Sequence, residues 1–394
     1  QFITIMRNSL SKEQTIIMVQ VENEMGVRGM VRDYCPKADK LYNSQVPAGL
    51  MNYLVTNKSK LIPETLSAWA NSNYATRGTW SEVFGKNERS EEIFMAWNYA
   101  NYVNHIVEAG KKEYNIPMFV NAWIVQPTDV HPGDYPSGGP QAQYHDIWRA
   151  GAPSLDMLCP DIYLPDFPGI LNMYTRSGNP GFVPESRFRI NGAANAAYAI
   201  GQNGAIGYTY TREPKDYDEP TADLFKIIRE ANDVIVDHRA KGTIHAIWLP
   251  KDGEQDLTLG SYTLKFSMKG FWAGDNPFKK KSAAEPEQDG PVLQGGAEGY
   301  AIVMEEGDGD YTIIGSGPTM IIVDASGKKL TGLGEVREGR YEAGRWVPLR
   351  WLNGDQTNVT GDIVDAHKRG FTGQGVFFMS TAPVIVKVKA FKIN

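Results

Sequence analysis

Over roughly the first 240 residues, short apolar runs alternate with helical patterns, and this alternation limits the possible folds more than any other feature of the chain. The runs are residues 15–21 (TIIMVQV), 118–125 (MFVNAWIV), 157–164 (MLCPDIYL), 181–185 (GFVPE) and 205–210 (AIGYTY). The first is β-branched and nearly unbroken, as in a parallel strand buried on both faces. A long polar and aromatic excursion follows it, through Trp69 and Trp80. Helical segments are expected at 91–112, 141–150, 170–176, 191–200 and 221–238. In the first of these, Ile93, Trp97, Ala100, Val103 and Val107 recur with a period near 3.6. Glu91 and Glu92 open it and Lys111 and Lys112 close it, which complements the helix dipole.

Such alternation builds parallel βα units, whose right-handed crossovers give either a barrel or a doubly wound sheet. No GxGxxG or GxxxxGK[ST] follows any run, so the phosphate signature of the doubly wound alternative is missing. Five units are visible where a (β/α)8 barrel has eight. After about Thr243 the composition changes. Short β runs at 300–304, 311–314, 320–323, 346–350, 376–379 and 384–391 are separated by turns, among them Gly307-Asp308-Gly309-Asp310 and Ser326-Gly327. An alternating stretch at 257–268 reads as a further strand. The expected organisation is a barrel portion over 1–242 and a β-sandwich of jelly-roll type over 243–394, with a loop or linker near 273–296. Residues 1–10 place Phe2, Ile5, Met6 and Leu10 on one helical face, so the chain is expected to open inside a helix.

The 394 residues are 42% hydrophobic and 22% charged, the balance of a globular protein, and carry a net charge of −6. That charge argues against a nucleic-acid partner, and the basic cluster at 279–281 reads as solvated. No apolar run approaches the ~20 residues needed to cross a bilayer, so no membrane partner is expected. Cys35 and Cys159 make neither a disulfide framework nor a zinc spacing. The six histidines show no HExxH, and no GxSxG elbow is present, so neither a metal nor an esterase nucleophile is expected. Residues 57–59 and 358–360 match the short N-glycosylation pattern.

The chemistry gathers at the ends of the runs. VQVENEMG (19–26) carries a buried strand straight into Glu22-Asn23-Glu24, where barrel enzymes collect their catalytic groups. An Asn beside a catalytic Glu is suited to donate to a sugar 2-hydroxyl. Hydrolysis with retention needs a second carboxyl group at ~5–5.5 Å, one shuttling a proton and the other attacking carbon. Asp161, Asp166 and Glu185 are the candidates, and GFVPES places Glu185 at a run's end with Arg187 and Arg189 close behind. Trp123, Tyr163, Tyr208 and Tyr210 fall at the same ends, where aromatic faces suit a carbohydrate, and the Tyr163 phenol is placed to hold the nucleophile.

At these residues the chain resembles glycoside hydrolase family 35, retaining β-galactosidases with (β/α)8 barrels. In that family a QVENE-type string ends the fourth strand and its last Glu is the acid/base. The resemblance therefore implies Glu24 as acid/base and Asn23 as a sugar ligand. Counting onward, GFVPE falls on the seventh strand, which carries the family nucleophile and so names Glu185. The strings LTLGSYTL, GSGPTM and GRWVPLRWLNGD resemble the bacterial branch with a β-rich C-terminal domain. The implied activity is removal of terminal β-linked galactose, without a cofactor, from oligosaccharides or plant polysaccharides such as xyloglucan, in the periplasm or outside the cell; the alternatives are the same machinery on a β-glucoside or arabinopyranoside, or a carbohydrate-binding protein without catalysis. Strands 4 to 8 of the barrel would lie in this chain, and the N-terminal remainder would be an upstream segment or a separate chain. Two departures stand out: those first three units lie before Gln1, and VPES differs from the serine-glutamate string of better-known members.

Overall fold

The computed structural model describes residues 15–187, 191–210, 219–268, 297–353, 374–377 and 382–393, with the single positions 3 and 357. The helix expected over 1–10, Arg189, the linker at 273–296 with its basic cluster, and the acceptor pattern at 358–360 lie outside the described residues. The chain separates into two compact units. The first comprises residues 1–164, 169–186 and 206–209, and the second 165–168, 187–205 and 210–394. This division falls earlier in the chain than the change of composition near Thr243.

The first unit is built on four parallel strands, β1 (Val19–Gln20), β2 (Met118–Trp123), β3 (Met157–Ile162) and β4 (Glu185–Ser186), hydrogen-bonded in sequence order. A parallel bridge between Val183 and Tyr208 extends the series. A doubly wound sheet reverses its strand order at a switch point, whereas the wall of a barrel does not. The sheet is thus a curled parallel half-barrel. Its strands are shorter than the apolar runs: residues 15–18 are not paired, and the run at 205–210 contributes only the bridge at Tyr208.

Side-chain alternation along β2 and β3 sorts the two faces. Met118, Val120 and Leu158 join a large core cluster with Val103, Val107 and Trp148 from the covering helices. Phe119, Met157 and Cys159 form a second cluster with Phe182 on the opposite face. The next positions on that second face are Asn121 and Asp161, each 1% exposed. The inner face therefore turns from apolar to polar toward the carboxyl ends of the strands.

The covering helices are α1 (Pro36–Tyr42), α2 (Ala48–Thr56), α3 (Pro63–Ala70), α4 (Trp80–Phe84), α5 (Glu88–Glu113), α6 (His145–Gly151) and, from Gly169 onward, α7 (Phe167–Thr175). The first four occupy the stretch read as an excursion. They are short, but each has a local cause. Proline opens α1 and α3, where its missing N–H is not needed, and Thr79 with Glu82 makes a capping box on α4. Trp69 and Trp80 are buried in the core rather than displayed.

The second unit holds α8 (Gly192–Gly201), α9 (Glu219–Glu230) and α10 (Asn232–Lys241), the last two dividing at Ala231 the single helix expected over 221–238. Among the described residues ten antiparallel strands follow: β5 (Ile244–Pro250), β6 (Glu254–Leu259), β7 (Tyr262–Ser267), β8 (Ala297–Gly307), β9 (Asp310–Ser316), β10 (Thr319–Asp324), β11 (Leu330–Glu342), β12 (Arg345–Trp351), β13 (Gln374–Phe377) and β14 (Val384–Ile393). They form sheets ordered β13-β10-β7-β6 and β12-β11-β14-β9-β8-β5. One core draws Leu264, Phe266, Met320 and Ile322 from the smaller sheet and Ile247, Val303, Ile313 and Val388 from the larger, which makes a sandwich. The stretch read as one strand at 257–268 is a hairpin, turning at Gly260 with φ +54°. On the larger sheet's other face, Gly201 of α8 lies so close to Ala246 and Ile302 that a Cβ there would fall 2.8 Å from the Ala246 Cβ.

Candidate active site

Three carboxylates meet at the carboxyl ends of the parallel strands. Glu24 follows β1, Asp161 lies in β3, and Glu185 opens β4, paired in register with Asp161. One oxygen from each lies within 4.8 Å of the others. Glu24 and Glu185, 161 positions apart in sequence (185 − 24), are thus brought together. Asp161, an alternative to Glu185 in the sequence, joins them as a third member. Asp166 belongs to the second unit.

The backbone at Glu24 is unusual. Glu22 and Glu24 have φ of 61° and 45°, a left-handed conformation that costs a side-chain-bearing residue about 1–3 kcal/mol and persists only where surroundings impose it. Part of that imposition is Asn121, whose Oδ1 accepts the Glu24 backbone N–H at 3.0 Å. The same Oδ1 accepts from the Gln20 amide at 3.1 Å. The Asn121 amide donates to Asn23 Oδ1 at 3.0 Å and to Asp161 Oδ2 at 2.7 Å. A single buried side chain therefore ties the turn after β1 to β3. Neither Asn121 nor Gln20 was expected from the sequence. The available signal was a polar residue inside an otherwise apolar strand, where an unpaired amide would be costly.

Electrostatics divides the three acids. Burial raises the pKa of Glu24, a hydrogen bond with Asp161 lowers it, the Glu185 charge raises it and Arg28 lowers it, with a net upward shift. Asp161 is pushed up to about 9 by burial first, then by the charge of Glu185 and by its hydrogen bond and proximity to Glu24. Asp161 therefore keeps its proton at neutral pH and donates it toward Glu24. The Tyr163 hydroxyl donates to Glu185 Oε2 at 2.9 Å, the contact its position suggested. Asn23 is exposed beside the carboxylates, with its Oδ1 held by Gln20 and Asn121.

The remaining aromatic residues fare differently. Trp123 ends β2 with 40% of its surface exposed, but Arg28 lies 4.5 Å over its ring, so one face is taken. Tyr208 is 4% exposed, and a ring so packed serves the wall rather than a ligand. Tyr210 belongs to the second unit, where its hydroxyl meets Thr221 Oγ1 at 2.8 Å. His131 is on an exposed loop, with Nδ1 3.0 Å from Glu88. The three clustered carboxylates are also the right kind of donor for a hard cation.

A family profile described as a domain of unknown function (DUF5597) matches residues 221–361, which lie within the second unit. A search of curated proteins returns no match. Among solved structures, the chain is similar to AbfB, a family 51 α-L-arabinofuranosidase from Bifidobacterium longum. The identity is 11%, the TM-score 0.35, and the alignment covers 98% of this chain and 78% of that one. A likeness of that degree does not define a shared fold, and the chemistry rests on the geometry.

Proposed function

We propose that this protein is a retaining glycoside hydrolase that removes terminal β-linked galactose, with Glu24 as acid/base and Glu185 as nucleophile. The observation that carries the reading is the approach of the two carboxylates to within 4.8 Å at the strand ends. Inverting enzymes hold this pair at ~6.5–9.5 Å to admit a water, whereas double displacement uses ~5–5.5 Å. In the first step the Glu24 carboxyl protonates the glycosidic oxygen while Glu185 attacks the anomeric carbon. The departing alcohol takes the proton, and a covalent glycosyl-enzyme remains. In the second, Glu24 removes a proton from water, which displaces Glu185 and releases the sugar.

The other groups fit these roles. Burial shifts the Glu24 pKa upward, the direction an acid/base needs, and the Asp161 hydrogen bond stabilises the carboxylate left after donation. Tyr163 orients Glu185. In this reading Asn23 donates to the sugar 2-hydroxyl. The preference for galactose, and a polysaccharide substrate outside the cytoplasm, rest on the resemblance to family 35. A panel of nitrophenyl β-glycosides tests the proposal. Turnover of the galactoside that is lost in both Glu24→Gln and Glu185→Gln is expected. Binding of sugar without turnover of any member would instead mark a carbohydrate-binding protein.

A further inference from the structure

Glu92 lies in α5 with none of its surface exposed, an unusual place for a carboxylate. No cation among the described residues lies within ion-pair distance of it. Its three partners are all donors from one segment. Tyr135 and Tyr144 donate their hydroxyls to Oε2 at 2.8 and 2.7 Å, and the Gly138 N–H donates to Oε1 at 3.3 Å. Gly138 is seated so closely on α5 that a Cβ would fall 2.4 Å from that of Met95. The carboxylate thus draws residues 135–144 onto the helix.

That segment in turn grips the stretch that follows Glu24. Val27 and Ser137 exchange backbone hydrogen bonds at 3.0 and 2.9 Å, and the Gly29 N–H donates to Gly133 O at 3.0 Å. Gly26, at φ +151°, approaches Pro136 so closely that no Cβ would fit. Gly139 does the same against the carbonyl of Met25. The left-handed backbone of Glu24 is therefore held on one side by Asn121 and on the other by this clamp.

We propose that Glu92 is a positioning residue for the acid/base. It anchors residues 133–139, and through them the segment 25–29, so that the Glu24 carboxyl stays aimed at the glycosidic oxygen. The inference rests on the proposed hydrolase activity.

Leaving-group dependence tests it, because proton donation matters for a poor leaving group and hardly at all for a very good one. In Glu92→Gln and in the Tyr135→Phe/Tyr144→Phe double variant, kcat/KM for an alkyl β-galactoside is expected to fall roughly 10²-fold, as for a catalytic group misplaced by about 1 Å. For 2,4-dinitrophenyl β-galactoside it is expected to stay within about threefold, since acid catalysis, a 10²–10⁴ effect, is not needed there. An equal fall with both substrates, or no fall with either, in folded variants overturns the role. A wild-type protein that turns over neither substrate overturns the hydrolase reading and this role with it.

Discussion

Asp161 is the residue whose behaviour departs furthest from its ordinary chemistry. In the unfolded chain its carboxyl ionises near 3.8, and in the folded protein near 9, so folding takes up a proton between those values. Stability from this group is therefore fully present below about pH 3.8 and is lost as pH rises toward 9. Asp161→Asn mimics the protonated acid, offering an N–H toward Glu24 and a carbonyl to Asn121. The variant is expected to be more stable than wild type by roughly 1–3 kcal/mol at pH 8, with the difference vanishing below pH 4, as urea titrations at the two pH values would show. At the same scale, Asn121→Ala leaves the Glu24 N–H and the Asp161 carboxyl without their partner. It should cost about 1–3 kcal/mol and lower kcat, measured by denaturation and steady-state kinetics on the same preparation. Glu24 and Asn23 were legible in the sequence because they are polar residues at a strand's exit. Asn121 was hidden, because it lies within an apolar run and a run's hydrophobic average conceals one buried amide. Tyr208 is packed and Tyr210 meets Thr221 in the second unit, placements that a run forming only one bridge does not display in its sequence.

Among the elements, length decided what could be read. The 26 residues of α5 span several turns, so the apolar spacing was plain, whereas α1 to α4 have five to nine residues each and too few repeats to show a period. Their caps were the better guide, as the Thr79–Glu82 box shows. The break at Ala231 had no such mark, since alanine is the best of helix formers. The clamp also yields a prediction at this scale. Gly138 has φ +78° and no room for a side chain against Met95. Gly138→Ala is expected to destabilise the protein by about 2–4 kcal/mol through both effects, read from the urea midpoint at unchanged slope. An effect below about 0.5 kcal/mol would mean that the segment can leave α5 freely.

For the molecule as a whole, the change from βα alternation to hairpins foretold two kinds of architecture, a parallel half-barrel and a pair of antiparallel sheets. It did not foretell that α8 to α10 group with the sheets, because that association depends on long-range packing such as Gly201 against Ala246, which no local pattern displays. The central claim is chemical, and the stereochemistry of the reaction tests it most directly. Proton NMR of the first turnovers of a β-galactoside should show β-galactose forming before mutarotation, because two displacements at one carbon restore its configuration. Initial release of the α anomer would contradict the account, since a single displacement requires a water between carboxylates held farther apart than Glu24 and Glu185 are here.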